Sequence, residues 1–69
     1  MSYQQLDRKA SELVTKVQNR IDRKGAYENA GQAELRQFED MLAKSKLTYQ
    51  EKYQLKQMMI NRIDNLRWL

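Results

Sequence analysis

The chain has 69 residues, enough for one small domain, and it contains neither cysteine nor histidine. A single core of this size is marginal, and the two missing residue types exclude disulfides, Cys- or His-ligated metals and the Ser–His and Cys–His nucleophile pairs. The net charge of +4 is spread over a chain in which 32% of residues are charged, a weaker basic bias than that of a dedicated nucleic-acid-binding domain.

The composition predicts an all-α fold. Apolar residues make up 41% of the chain, proline is absent and glycine occurs only at Gly25 and Gly31. That apolar content is too high for a disordered segment, and the remaining sequence is rich in good helix formers. We expect a single domain, residues 1–69, built as a small three-helix up-down-up bundle with helices at about 3–24, 32–45 and 49–67.

The first helix has clear signals at both ends. Ser2 and Gln5 form a capping-box pattern at its start, and a pair of cations before Gly25 is typical of a helix end. Between them, apolar residues recur at steps of three and four, as one buried face requires: Leu6, Ala10, Leu13, Val14, Val17 and Ile21.

Residues 25–31, GAYENAG, are expected to form the loop that leads to the second helix. On that helix, one face carries Leu35, Phe38, Met41 and Leu42. Asp40 and Lys44 stand one turn apart on the outer face, where they can form an ion pair.

The third helix begins at a T-x-x-E capping box over residues 48–51. Its main stripe consists of Leu55, Met59, Ile63 and Leu66, flanked by Met58 and Leu69 on one side and by Tyr49, Tyr53 and Ile60 on the other. Together these residues cover roughly 200° of the helix, about twice the arc that one buried face needs. The third helix is therefore predicted to leave an apolar face exposed for another molecule.

The tetrapeptide NRID occurs at residues 19–22 and 61–64. The first and third helices of an up-down-up bundle are parallel, so both copies should lie at one end of the molecule. With Lys24, the arginines there would form a basic end: Arg20, Arg23, Arg62 and Arg67. The helix dipole favours cations at such ends, and the same charges would orient an acidic partner.

The wide apolar arc favours a non-catalytic regulator or adaptor. It would form a homodimer through the third helix and dock on another protein with an acidic surface. The predicted contact residues are Tyr49, Tyr53, Lys56, Ile60 and Trp68, with Arg62 and Arg67 from the basic end.

The alternative is a dimeric nucleic-acid-binding protein. Lys9, Lys16, Arg20 and Arg23 fall within about 60° on the first helix and could follow a phosphate backbone. A helix-turn-helix is disfavoured because the third helix is apolar where a recognition helix is polar and basic. A membrane-surface role ranks last, since the first helix has no Trp or Phe on its apolar face.

Other functions lack their sequence signals. There is no phosphate-binding glycine loop, no signal peptide and no apolar run of the length that spans a bilayer. We expect a cytoplasmic protein with no enzymatic activity, no cofactor, no bound metal and no small-molecule substrate.

Overall fold

A computed structural model describes residues 2–25 and 29–67, with the backbone alone for Arg67. It contains the α-helices α1 (Tyr3–Lys24), α2 (Gln32–Lys44) and α3 (Tyr49–Arg67), each packed on the other two, and the described residues include no strand. The predicted all-α three-helix bundle is confirmed, with α2 ending one residue earlier than expected.

Both predicted capping boxes are present. At the start of α1, Ser2 Oγ accepts a hydrogen bond from the Gln5 amide at 3.2 Å, and Gln5 Oε1 accepts one from the Ser2 amide at 2.9 Å. Before α3, Thr48 Oγ1 and Glu51 Oε1 make the same reciprocal bonds, at 3.2 and 3.1 Å. Each box satisfies amides that have no partner within the helix, which fixes where the helix begins.

The ends of α2 depend on Gly31 and Ser45. Gly31 is the residue before the helix and has a left-handed φ of 87°, which only glycine adopts at little cost. Ser45, predicted to be helical, is extended (φ −81°, ψ 164°), and its Oγ donates to the Leu42 carbonyl at 2.7 Å. This bond satisfies a carbonyl of the last turn, so α2 ends at Lys44.

The core contains residues from all three helices, and Phe38, its largest fully buried side chain, comes from α2. Its other buried members are Leu6, Ala10, Leu13, Leu42, Leu55, Met59 and Ile63. Except for that of the small Ala10, the burial of each of these side chains stabilises the fold by about 1.5–3 kcal/mol. The predicted stripes of α1 and α3 are thus confirmed as core in part, because Val14, Ile21 and Leu66 are only half-buried. Leu35 and Met41 of α2 are half-buried too.

One buried charge was not predicted. Glu34, in the first turn of α2, is 4% exposed, and its Oε1 accepts a hydrogen bond from Arg20 Nη1 at 2.7 Å. The pair joins the last turns of α1 to the first turn of α2. Because a buried carboxylate is costly without a charged donor, this contact helps to set how the two helices pack.

Candidate protein-docking groove

A shallow depression of about 370 Å³ lies between the second half of α2 and the first half of α3. We call it the tyrosine groove and define it by its lining: Glu39, Leu42 and Ala43 from α2, and Tyr49, Lys52, Tyr53 and Lys56 from α3. The α3 residues follow at steps of three and four, so one side of that helix forms one wall.

The tyrosines of this groove are unusually open to solvent. Tyr49 is 86% exposed and Tyr53 is 55% exposed, and they are the exposed large hydrophobic residues of the described chain. Leu42, which lines the same groove, is 4% exposed and belongs to the core. The groove therefore has a fixed apolar floor and aromatic rings at its edge, and tyrosine is enriched among the residues that dominate protein interfaces.

Charge in the groove is positive. Lys56 Nζ lies 3.1 Å from Glu39 Oε1, and this ion pair connects α3 to α2 across the groove. Lys52 adds a second cation to the lining. Ion pairs exposed to this extent contribute at most about 1 kcal/mol, so a carboxylate from another molecule can compete with Glu39 for Lys56 at little cost.

Of the residues predicted for partner contact, the structure brings Tyr49, Tyr53 and Lys56 together in the groove. Ile60 follows them on the same side of α3 but is half-buried. Trp68 and the side chain of Arg67 lie outside the described residues. The α2 side of the groove was not predicted, because nothing in the α2 sequence shows which of its flanks faces α3.

The predicted basic end is not assembled from the two NRID segments as expected. The guanidinium of Arg20 bonds to Glu34 of α2, whereas Arg62 Nη1 donates to Ser11 Oγ of α1 at 3.0 Å. Arg62 Nη2 also lies 4.0 Å from Asp7 Oδ1, an atom that is shielded from solvent and has no hydrogen bond. Arg62 thus supplies the positive charge nearest to a shielded carboxylate oxygen, and the identical tetrapeptides make different contacts.

The cations of the predicted nucleic-acid surface are also divided. Lys9 pairs with Glu12 at 3.4 Å and Arg20 with Glu34. Lys16, Arg20 and Arg23 line a second depression of about 300 Å³, together with Asn19 and Lys24. We call this the basic depression. Lys9 is not in its lining, whereas Lys24 is.

No known protein family, curated protein or solved structure matches this chain. Within the described residues, no helix is long and apolar enough to cross a membrane, and no group of carboxylates is arranged to hold a metal ion. The class of protein that the fold defines is a small all-α three-helix bundle, and the groove between α2 and α3 is the feature from which a function can be argued.

Proposed function

We propose that the protein is a non-catalytic regulator or adaptor that docks on a partner protein through the tyrosine groove. The observation that carries this proposal is the exposure of Tyr49 and Tyr53, at 86% and 55%, beside a floor formed by the buried Leu42. Leaving two tyrosine rings in water at the rim of an apolar depression contributes little to folding. Their burial under a partner would stabilise a complex, since aromatic rings add a large contact area.

The groove fits an apolar surface that carries carboxylates. Lys52 and Lys56 are one helical turn apart, roughly 6 Å along the axis, and both line the groove. A partner helix with acidic residues at a similar spacing would meet both ammonium groups while its apolar face covered the rings. Complementary charge of this kind increases the association rate and selects among partners.

A second copy of this chain fits the groove less well than an acidic partner. If two grooves faced each other across a two-fold axis, the same surface would meet itself. Lys52 and Lys56 of each copy would then approach their counterparts, with Glu39 as the carboxylate in each described lining. We therefore propose the groove as the site of an acidic partner rather than of a second copy.

The same lining supports binding rather than catalysis. Its described residues include a single carboxylate, Glu39, and that carboxylate is paired with Lys56. General acid–base chemistry usually needs two titratable groups in different environments. The groove instead offers rings, an aliphatic floor and two ammonium groups, which are recognition elements.

Affinity capture from a native lysate with matched variants tests this proposal. Tyr53→Glu adds a charge inside the groove, whereas Gln54→Glu adds the same charge at an exposed neighbour that points about 150° away from the centre of the lining. A partner retained by the wild type and by Gln54→Glu should be reduced at least tenfold with Tyr53→Glu. Equal retention by both variants would refute docking through this groove.

An affinity measurement with the captured partner completes the test. Tyr53→Ala should weaken binding by at least about 2 kcal/mol, roughly thirtyfold, as for a central interface residue. Gln54→Ala should leave the affinity within about a factor of two. Similar losses for both substitutions would place the interface elsewhere.

A further inference from the structure

We propose that the basic depression binds the phosphate backbone of double-helical nucleic acid without reading its sequence. This surface lies on α1, and its described lining shares no residue with that of the tyrosine groove, so the two proposals stand independently. The described lining residues all fall between Lys16 and Lys24, a segment roughly 12 Å long on a helix.

The depression holds positive charge that no ion pair between described residues neutralises. No ion pair between described residues includes Lys16, Arg23 or Lys24, and all three are exposed. Arg20 is held at the depression by its 2.7 Å bond to Glu34, and its side chain remains 40% exposed. The depression is therefore lined by three exposed cations and by Arg20, whose guanidinium is held by Glu34.

The spacing of these cations suits a phosphate backbone. Lys16 and Arg23 are seven residues apart on one flank of α1, about 10.5 Å along the helix axis. Each strand of a duplex carries one phosphate per about 3.4 Å of its axis, so the segment extends along roughly three phosphates. Asn19 adds an uncharged donor within the same lining. Contacts to phosphates alone carry no sequence information.

Other polyanionic partners fit less well. Binding to an anionic membrane would need apolar side chains next to the cations, but Leu13 and Val17 of α1 are 3% and 1% exposed because they are in the bundle interior. Recognition of single strands relies on aromatic rings that stack on bases, and the described lining of the depression contains no aromatic residue.

The test uses two fluorescein-labelled DNA duplexes of unrelated sequence, with binding measured by fluorescence anisotropy over a range of salt concentrations. One variant replaces Lys16, Arg23 and Lys24 with Gln. The matched control replaces Arg8, Arg36 and Lys46 with Gln. These control residues are also exposed, enter no ion pair between described residues and remove the same total charge.

The wild type should bind both duplexes equally. The depression variant should bind at least tenfold more weakly. The magnitude of the slope of log K against log salt should fall by about 2–3, because each lost phosphate contact removes about 0.9. The control variant should stay within about threefold of the wild type, and circular dichroism should show both variants to be as helical as the wild type.

Several results would overturn the proposal. They are equal losses in the two variants, no binding at low salt, competition by polyglutamate as strong as by unlabelled DNA, and preferential binding to anionic lipid vesicles. A readout on the unmodified protein guards against a variant that fails to fold. Amide NMR shifts on adding duplex should concentrate in residues 16–24, and shifts concentrated in residues 49–56 would refute the assignment.

Discussion

Replacing Gly31 with alanine should destabilise the bundle through two separate effects. Gly31 has φ of 87°, and a Cβ atom built there would lie 2.7 Å from Ile63 Cγ2 and 3.2 Å from Ile63 Cδ1. The left-handed conformation costs an L-residue about 1–2 kcal/mol. Forcing a methyl group against a buried isoleucine costs about 1–3 kcal/mol more. The total, about 2–5 kcal/mol, is a large part of the roughly 3–10 kcal/mol expected for a domain of 69 residues.

Gly25→Ala is a comparison variant without the steric effect. Gly25 has a φ of 86°, but its ψ of 161° puts it in a different backbone region from Gly31, and a Cβ atom there would meet nothing within 4 Å. Its cost is that of its own backbone conformation alone, about 1–3 kcal/mol. Gly31→Ala should cost more than the about 1–2 kcal/mol of its left-handed backbone, by a packing part of about 1–3 kcal/mol.

Urea denaturation followed by circular dichroism at the helical band measures both variants on one scale. With an unchanged m-value, the difference in midpoint gives the difference in the free energy of unfolding. In thermal melts, each kcal/mol should separate the two midpoints by about 4–8 °C. If Gly31→Ala costs no more than the about 2 kcal/mol of its left-handed backbone, the close approach of α2 to Ile63 is not a constraint on the fold.

Substitutions at three other places in the fold test other contacts. Arg20→Met should lower the free energy of unfolding by about 1–3 kcal/mol, since Glu34 would stay buried without its charged donor. Glu34→Gln should lower it less, because the side-chain amide oxygen of the glutamine still accepts a hydrogen bond from Arg20. Thr48→Ala should cost about 1 kcal/mol through loss of the cap of α3, and Thr48→Ser should restore most of it. Tyr53→Ala should stay within about 0.5 kcal/mol of the wild type, as for an exposed residue outside the core.

The same urea titrations check all three. Equal costs for Arg20→Met and Glu34→Gln would show that the burial of Glu34 does not decide the energetics of the pair. A Thr48→Ala protein as stable as the wild type would remove the side-chain cap as the reason that α3 begins at Tyr49. A loss of several kcal/mol in Tyr53→Ala would mean that the ring serves the fold rather than a partner.

The sequence predicted the helices well because their limits depend on local chemistry. The boxes at Ser2 and Thr48 and the glycine at position 25 act within a few residues of themselves, and the structure places each where it was predicted. The end of α2 was missed by one residue. Ser45 has no strong preference for or against a helix. In the structure it is extended, and both its amide and its Oγ donate to the Leu42 carbonyl.

The contacts between helices were harder to predict. Glu34 precedes Phe38 by one turn, and that spacing places it on the buried face of α2. A charged residue at such a position signals a partner, but the sequence does not say that the partner is Arg20 rather than another cation. Likewise, both NRID arginines follow the same local pattern, yet Arg62 reaches Ser11 while Arg20 reaches Glu34, because each depends on the helix that packs beside it.

About half of the candidate site could be predicted. Tyr49, Tyr53 and Lys56 stood out because α3 has more apolar surface than one buried face needs. Leu42 and Ala43 were not identified as part of the groove, since that depends on the rotation of α2 in the bundle. Ile60 was expected at the contact but is half-buried and is not in the described lining of the groove, whose α3 residues all come from the first half of that helix.

Covalent labelling of the tyrosines tests the central claim most directly, since it compares the free protein with its complex with the captured partner. In the free protein, Tyr49 and Tyr53 should react readily and the half-buried Tyr3 slowly. In the complex, Tyr49 and Tyr53 should both be protected while Tyr3 is unchanged. If Tyr49 and Tyr53 react as fast in the complex as in the free protein, the tyrosine groove is not the surface through which this protein docks.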